Sequence, residues 1–314
     1  MKSETMQEDT AEGLYSGSRV ALLVVGTARS GTSALTRTLS LLGADLPRNL
    51  APADKYNPAG YWESADLVSL HDQLLAAHDM SSWNSRLPTP AATFAAEALA
   101  PSCGELVNLL RRDFANSTLF VAKDPRMCRL LPLWHRALPK VGFEAKHVLP
   151  VRHPMEVAAS LSTSAWRTRT MPEATGMATW VRHVVEAERA SRGRPRVFVS
   201  YNALLEDWRQ VANRIATALQ IDWPVAPEAV QAEVDSFLTG ELRHHRVSDH
   251  LALDRYPLAN ALYKAVLASL DDEQAAISQF EAIRQELLVS DDNHRGGARS
   301  KHSWTNRLFD LWRR

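Results

Sequence analysis

Between residues 26 and 33 the chain reads Gly-Thr-Ala-Arg-Ser-Gly-Thr-Ser, with glycines at 26 and 31 followed by Thr32 and Ser33. Glycines at this spacing let successive backbone N–H groups turn onto an anion. A helix that follows adds its own free N–H groups and the positive end of its dipole. In nucleotide triphosphatases the residue after the second glycine is a lysine that reaches the β- and γ-phosphates. Here that residue is Thr32, and the positive charge sits inside the loop at Arg29. A loop without the lysine is poorly suited to bridging a triphosphate and its Mg²⁺. An arginine fork suits a terminal tetrahedral anion that accepts two N–H bonds at once. The competing reading is a glycine-bearing turn joining any strand to any helix.

Other residue groups carry chemistry of the same kind. In Arg152-His153-Pro154-Met155-Glu156-Val157-Ala158-Ala159-Ser160, Pro154 suits the first turn of a helix. Arg152 and Ser160 then offer a charged fork and a neutral donor to one phosphate; the alternative pairs Arg152 with Glu156 and packs Ser160. Lys123, in Lys123-Asp124-Pro125, is either a cation at the reacting centre or a solvated strand-end lysine before an ordinary turn. Glu63, in Asn57-Pro58-Ala59-Gly60-Tyr61-Trp62-Glu63-Ser64, is flanked by two aromatic residues. Partial desolvation would raise its pKa toward that of a useful base. Its alternative role is to cap a helix beginning at Ser64-Ala65-Asp66. His71 stands in reserve as the base. Trp83, Trp166 and Trp180 are candidates to line an acceptor cleft, Trp83 foremost. No metal is predicted: His244 and His245 are adjacent and cannot share one face of a helix or strand.

These residues need elements to hold them. Val20–Val25 is a continuous apolar run ending at glycine, as a strand buried on both faces should. Leu35, Leu39 and Leu42 then fall at helical spacing before a stop at Gly43. Further strands are expected at Thr118–Ala122 before Lys123, His147–Val151 before Arg152, and Arg196–Ser200 before Tyr201. Pro150 has no N–H to give a sheet, which argues against a regular central strand there. The alternation with helical patterns predicts an α/β fold, a mostly parallel central sheet flanked by helices in a single domain, with ligands outside the carboxyl ends of the strands. Residues 44–63 read as a long binding loop or lid. Residues 227–288 read as helices packing the far side.

Composition sets limits. The 314 residues are 45% hydrophobic, enough for a sizeable core, and 36 basic residues balance 36 acidic ones. That balance gives no electrostatic case for nucleic-acid binding. Two cysteines, Cys103 and Cys128, cannot build a disulfide framework, so a reduced, cytoplasmic setting is expected. No run approaches the ~20 apolar residues of a membrane-spanning helix. Residues 1–18 read as a disordered leader, 19–290 as the domain, and 291–314 as a basic tail. Within that tail Trp304, Leu308, Leu311 and Trp312 share a helical face that suits weak contact with a membrane surface or a partner protein.

Taken in order along the chain, the motifs resemble those of sulfotransferases. Gly26–Ser33 is similar to the 5′-phosphosulfate loop of the arginine-bearing tyrosylprotein and bacterial carbohydrate-type members. Arg152 to Ser160 resembles the family's 3′-phosphate site, and Lys123-Asp124-Pro125 its Lys-Asp-Pro motif. The stretch from Asn57 to Glu63 resembles an Asn-Pro-x-Gly-aromatic-aromatic-Glu signature, and Tyr201 heads a Tyr-Glu-x-Leu-Leu-like element. The resemblance spans about residues 20–219. It implies a P-loop-type fold and a donor, 3′-phosphoadenosine 5′-phosphosulfate, held by Arg29, Ser30, Gly31, Thr32, Ser33, Arg152, Ser160 and Tyr201. It further implies catalytic roles for Glu63 as base and for Arg29 and Lys123 as cations, with a hydroxyl acceptor, saccharide or glycolipid-like. The chain departs from the pattern at Asn202, where glutamate is usual, and at Ser164, where the tyrosylprotein branch has arginine. A kinase-like or other nucleotide-binding protein, or a non-catalytic member of the fold, are the competing readings.

Overall fold

The first strand, β1 (Arg19–Val24), is apolar at every position after Arg19 because both of its faces are covered. Ala21 and Leu23 belong to one buried cluster, and Val20, Leu22 and Val24 to another. This is the period-2 alternation of a strand with a core on each side. The computed structural model describes residues 19–54, 57–78, 80–81, 96–163, 171–238, 253–272, 274 and 276–293. The predicted leader, nearly all of the basic tail, Trp83, Trp166, Ser164 and the His244-His245 pair lie outside the described residues.

After β1 come helix α1 (Thr32–Leu41), α2 (Ala65–Ala77), α3 (Ala96–Phe114), strand β2 (Leu119–Lys123) and α4 (Met127–Ala137). Strand β3 (Phe143–Val151), α5 (Pro154–Thr163), α6 (Glu173–Ser191) and strand β4 (Arg196–Ser200) follow. The chain continues through α7 (Tyr201–Glu206), α8 (Trp208–Leu219), α9 (Gln231–Phe237), α10 (Pro257–Asp271) and α11 (Ile277–Asn293). The strands form one parallel sheet in the order β2-β1-β3-β4. The single α/β domain with helices on both faces agrees with the sequence expectation.

One face of the sheet packs on α2, α3, α4, α6, α10 and α11, and the other on α1, α7, α8 and α9. Under the first face Phe120 stacks on Phe114 at 3.9 Å between ring centroids and meets Phe143 edge-on at 4.8 Å. Each such ring taken from water contributes about 2 kcal/mol. Among the described residues no helix is long and apolar enough to cross a membrane.

One doubt is resolved and one expectation needs correction. Pro150 does lie in a central strand, paired with Val199 of β4. The carbonyl of Val148 accepts from Val25 N–H at 2.9 Å, so strand alternation points the Pro150 nitrogen toward the same side. There β1 has already given way to Gly26, whose added Cβ would stand 3.0 Å from Pro150 Cγ. The missing donor therefore faces no partner strand. The described parts of 227–288 are mostly helical, but they do not all pack away from the loop: α9 reaches α1 through an Arg37–Glu233 ion pair of 2.7 Å, and Phe237 faces Trp62.

Candidate active site

The strand order decides the site. Because β1 lies between β2 and β3, the loop that leaves β1 is flanked by Lys123 at the end of β2 and by Arg152 just beyond β3. Together with residues 51–63 these ends surround a cavity of about 400 Å³. It is lined by Arg29, Gly31, Thr32, Ser33, Glu63, Lys123, Arg152 and Tyr201 among others. Of the predicted residues, Ser30 and Ser160 are buried just behind the lining.

Gly31 precedes α1 in a left-handed conformation, φ 86°, and no side chain caps the helix. The first N–H groups of a helix have no intrahelical acceptor, so an anion in the cavity meets them and the helix dipole together. A Cβ on Gly31 would come within 2.1 Å of the Tyr201 ring, which explains why this position carries none. Tyr201 is itself fixed as the first residue of α7, whose cap Ser200 accepts from the Ala203 N–H at 3.3 Å.

Arg29 also has positive φ, 72°, a conformation that costs an arginine about 1–2 kcal/mol. It is pinned from two sides. Its Nε donates to Ser160 Oγ at 2.8 Å, and its carbonyl accepts from Arg152 at 2.9 Å. Arg152 in turn donates to Glu156 Oε2 at 2.9 Å and stacks over the Tyr201 ring at 4.8 Å. The predicted 5′ and 3′ anion sites thus adjoin, joined by Arg29 and Ser160. The pairing of Arg152 with Glu156, the bland alternative, is also present and leaves Arg152 on the cavity wall. Burial and the neighbouring Arg152 charge hold the Arg29 guanidinium below the usual arginine range. The fold has pressed two like charges together.

At the other end Lys123 Nζ donates to Glu63 Oε1 at 2.5 Å and to Ser33 Oγ at 3.2 Å. Ser33 Oγ passes on to the Tyr61 carbonyl at 3.1 Å. Burial pushes the Glu63 carboxyl above its ordinary value, against the opposing pull of Lys123. Glu63 does not cap α2. That role falls to Ser64, which accepts from the Leu67 N–H at 3.3 Å. Tyr61 donates to Asp54 at 2.9 Å, and burial together with that carboxylate raises its phenol to about 12.

Some sequence candidates fall elsewhere. His71 is fully buried, bonded to Asp124 at 2.7 Å and to Trp134 at 3.1 Å, so it has no open nitrogen for an acceptor. Trp180 is in the core and packs on Tyr263 rather than on the cleft. Sequence reasoning missed Arg126, Asp54, Val68 and Phe237 as lining residues. Arg126 lies one residue past the Lys-Asp-Pro motif and was open to notice. Phe237 arrives from α9 and had no local signal.

The sequence that builds this cavity has counterparts among known proteins. The sequence pattern described as "Sulfotransferase family" matches residues 21–225, from β1 to just past α8. The chain belongs to the sulfotransferase family. The matched stretch contains all of the cavity-lining residues named above except Phe237. Solved structures similar to this family member include the sulfotransferase domain from the Synechococcus PCC 7002 olefin synthase. It is 19% identical, with 77% of this chain and 94% of that one covered and a TM-score of 0.43. The sulfotransferase domain from the curacin biosynthetic pathway is 16% identical over 80% of this chain and 97% of that one, with a TM-score of 0.44. No curated protein matches the chain in sequence.

Proposed function

We propose that this sulfotransferase moves a sulfuryl group from 3′-phosphoadenosine 5′-phosphosulfate to a hydroxyl of a carbohydrate or glycolipid-like acceptor. One observation carries the reading: Arg29 and Arg152 are crowded beside the uncapped N-terminus of α1. Like charges held close in a poorly solvated site repel, so the arrangement gains most from an anion placed among them. The donor supplies two anionic groups and the phosphosulfate bond that breaks.

The residues present fit that donor. Gly31, Thr32 and Ser33 offer backbone N–H groups to the 5′-phosphosulfate. Arg152 and Ser160 serve the 3′-phosphate, Arg29 lies between the two sites, and Tyr201 braces the loop. Glu63 takes the acceptor's hydroxyl proton as the acceptor oxygen bonds to sulfur. Lys123 and Arg29 receive the negative charge left on the 5′-phosphate oxygen when its bond to sulfur breaks. The products are a sulfate ester and adenosine 3′,5′-bisphosphate, with the proton on Glu63. Positioning and fixed charge supply most of the rate in such transfers.

On the acceptor side Ala51, Pro58, Ala59, Val68, Pro125 and Phe237 form an apolar wall, with Asp54 and Asn57 beside it. This favours the lipid-borne end of the acceptor range over a free sugar. The buried, unpaired thiols of Cys103 and Cys128 suit a reducing cytoplasm.

A thermal-shift titration tests the donor. Linkage predicts about 2.7 kcal/mol of added stability at a bisphosphate concentration 100 times Kd. A shift with adenosine 3′,5′-bisphosphate and none with ATP and Mg²⁺ is expected. The reverse pattern overturns the proposal.

A further inference from the structure

Three contacts tie the start of α2 to the turn after β2. Glu63 meets Lys123 at 2.5 Å, His71 Nδ1 meets Asp124 Oδ2 at 2.7 Å, and Asp72 takes Arg126 in a fork at 2.6 and 2.8 Å. The middle pair is the buried one, with His71 0% and Asp124 1% exposed. Behind it the indole of Trp134 donates to His71 Nε2 at 3.1 Å. An indole nitrogen only donates, so Nε2 is the acceptor and the His71 proton lies on Nδ1, facing Asp124. The other Asp124 oxygen, Oδ1, accepts from the Arg126 backbone N–H and from its guanidinium, both at 2.9 Å. Each carboxylate oxygen therefore faces donors. Burial alone would raise this carboxyl, but the His71 hydrogen bond and the Arg126 charge hold it well below the usual range.

We infer that His71 and Asp124, oriented by Trp134, are positioning residues that hold the Glu63 and Lys123 segments at working distance. The inference rests on Glu63 being the base. During transfer the Glu63–Lys123 pair has to open, because Glu63 must reach the acceptor proton and Lys123 the leaving oxygen. Long, flexible side chains then no longer define the spacing of α2 and β2. The His71–Asp124 bond is short, directional and shielded from water. It joins a residue on α2 to the one immediately after Lys123, so it keeps both segments in place while the outer pair is apart.

Asp124 has a second effect on the base. The charged and titratable groups facing Glu63 are Lys123 from β2, Asp124 and Arg126 from the turn, and Tyr61 from its own loop. Those facing Asp124 are His71, Arg126, Glu63 and the buried Cys128 thiol of α4. Among the groups around Glu63, Asp124 is an anion set against two cations. It keeps Glu63 more basic than Lys123 and Arg126 would leave it.

Asp124→Asn, His71→Ala and His71→Asn test the inference, with Glu63→Gln as reference. Asp124→Asn leaves one oxygen where two faced donors. It should lower kcat roughly 10- to 100-fold, preserve the bisphosphate thermal shift, and move the acid limb of the rate profile to lower pH. His71→Ala should lose kcat similarly, and His71→Asn should recover much of it, since its amide N–H stands near the place of Nδ1–H. If Asp124→Asn proves unstable, Trp134→Phe removes the indole donor together with part of the ring's volume, and should lower kcat several-fold with the bisphosphate shift intact. Wild-type kcat and acid limb in these variants, with only melting temperature reduced, would overturn the inference. So would a His71→Asn no better than His71→Ala. Turnover retained by Glu63→Gln would overturn the assignment of the base, a failure visible before any relay variant is made.

Discussion

At one end of the cavity Arg29 and Arg152 are crowded together, while at the other Glu63, Lys123, Asp124, Arg126 and Asp72 alternate in sign. Apart from the exposed Asp72, both ends are half-buried or buried and both flank the loop from β1, yet they store charge differently. The arginine end is held by hydrogen bonds to the Arg29 side chain and carbonyl, and there two guanidiniums meet the one carboxylate of Glu156, which pairs with Arg152. At the glutamate end both cations, Lys123 and Arg126, are already paired with carboxylates. A site short of an anion is built to bind one. A site whose cations are already paired suits the proton transfer proposed for Glu63.

The contrast is open to attack in order of expected effect. Glu63→Gln should reduce kcat by about 10²- to 10⁴-fold, the usual contribution of a general base. The bisphosphate thermal shift should survive, and losing both together would place Glu63 in donor binding. Lys123→Met leaves a buried carboxylate without its partner, so chemical denaturation should show a loss of about 3–5 kcal/mol. Arg29→Met relieves a like-charge contact, and the ligand-free protein should lose little or gain. Equal losses in the two variants would erase the distinction.

Arg152→Ala removes a charge-assisted contact, each of which contributes about 1.5–3 kcal/mol. Calorimetric titration with adenosine 3′,5′-bisphosphate should therefore show affinity weakened by roughly 10- to 100-fold. The pH dependence is a finer probe. Burial raises Glu63, so its protonated, inactive form persists to higher pH than for an ordinary carboxyl of 4.5. Turnover should rise with pH along an acid limb lying above 4.5, and that limb should vanish in Glu63→Gln.

The smallest effect lies outside both ends. His147 contacts His135 at 2.9 Å, and burial lowers its imidazole from 6.5 to about 4. The unfolded chain takes up that proton first, so stability is full above 6.5 and declines as pH falls toward about 4. His147→Gln should flatten this part of the stability profile while leaving the donor shift unchanged.

Much of the fold was legible because the signals are local. Apolar runs ending in glycine, a charged residue or a polar one marked all of the described strands, and Arg196–Ser200 matched to the residue. The doubt at Pro150 could not be settled locally, because whether a missing N–H matters depends on where the neighbouring strand ends. The anion loop was legible for the same local reason: Gly31, Thr32 and Ser33 are consecutive, and their backbone does the work. Glu63 and Lys123 were visible as separate candidates, but nothing local pairs residues 60 apart. His71 looked like a spare base, since a sequence gives no burial and no tautomer.

The glycine loop, with Thr32 at the place of the usual lysine and its positive charge at Arg29, was determined by the sequence itself, since eight adjacent residues dictate their own turn, helix start and charge. The company that loop keeps was decided by the tertiary structure. Setting β1 between β2 and β3 brings Lys123 to one side and Arg152 to the other, and α5 returns Ser160 to Arg29 across 131 residues. Strand order is a property of the whole chain, because each strand is chosen by the faces it buries and the partners it pairs with. It is that order which separates the crowded arginine end from the end where Lys123 is paired with Glu63.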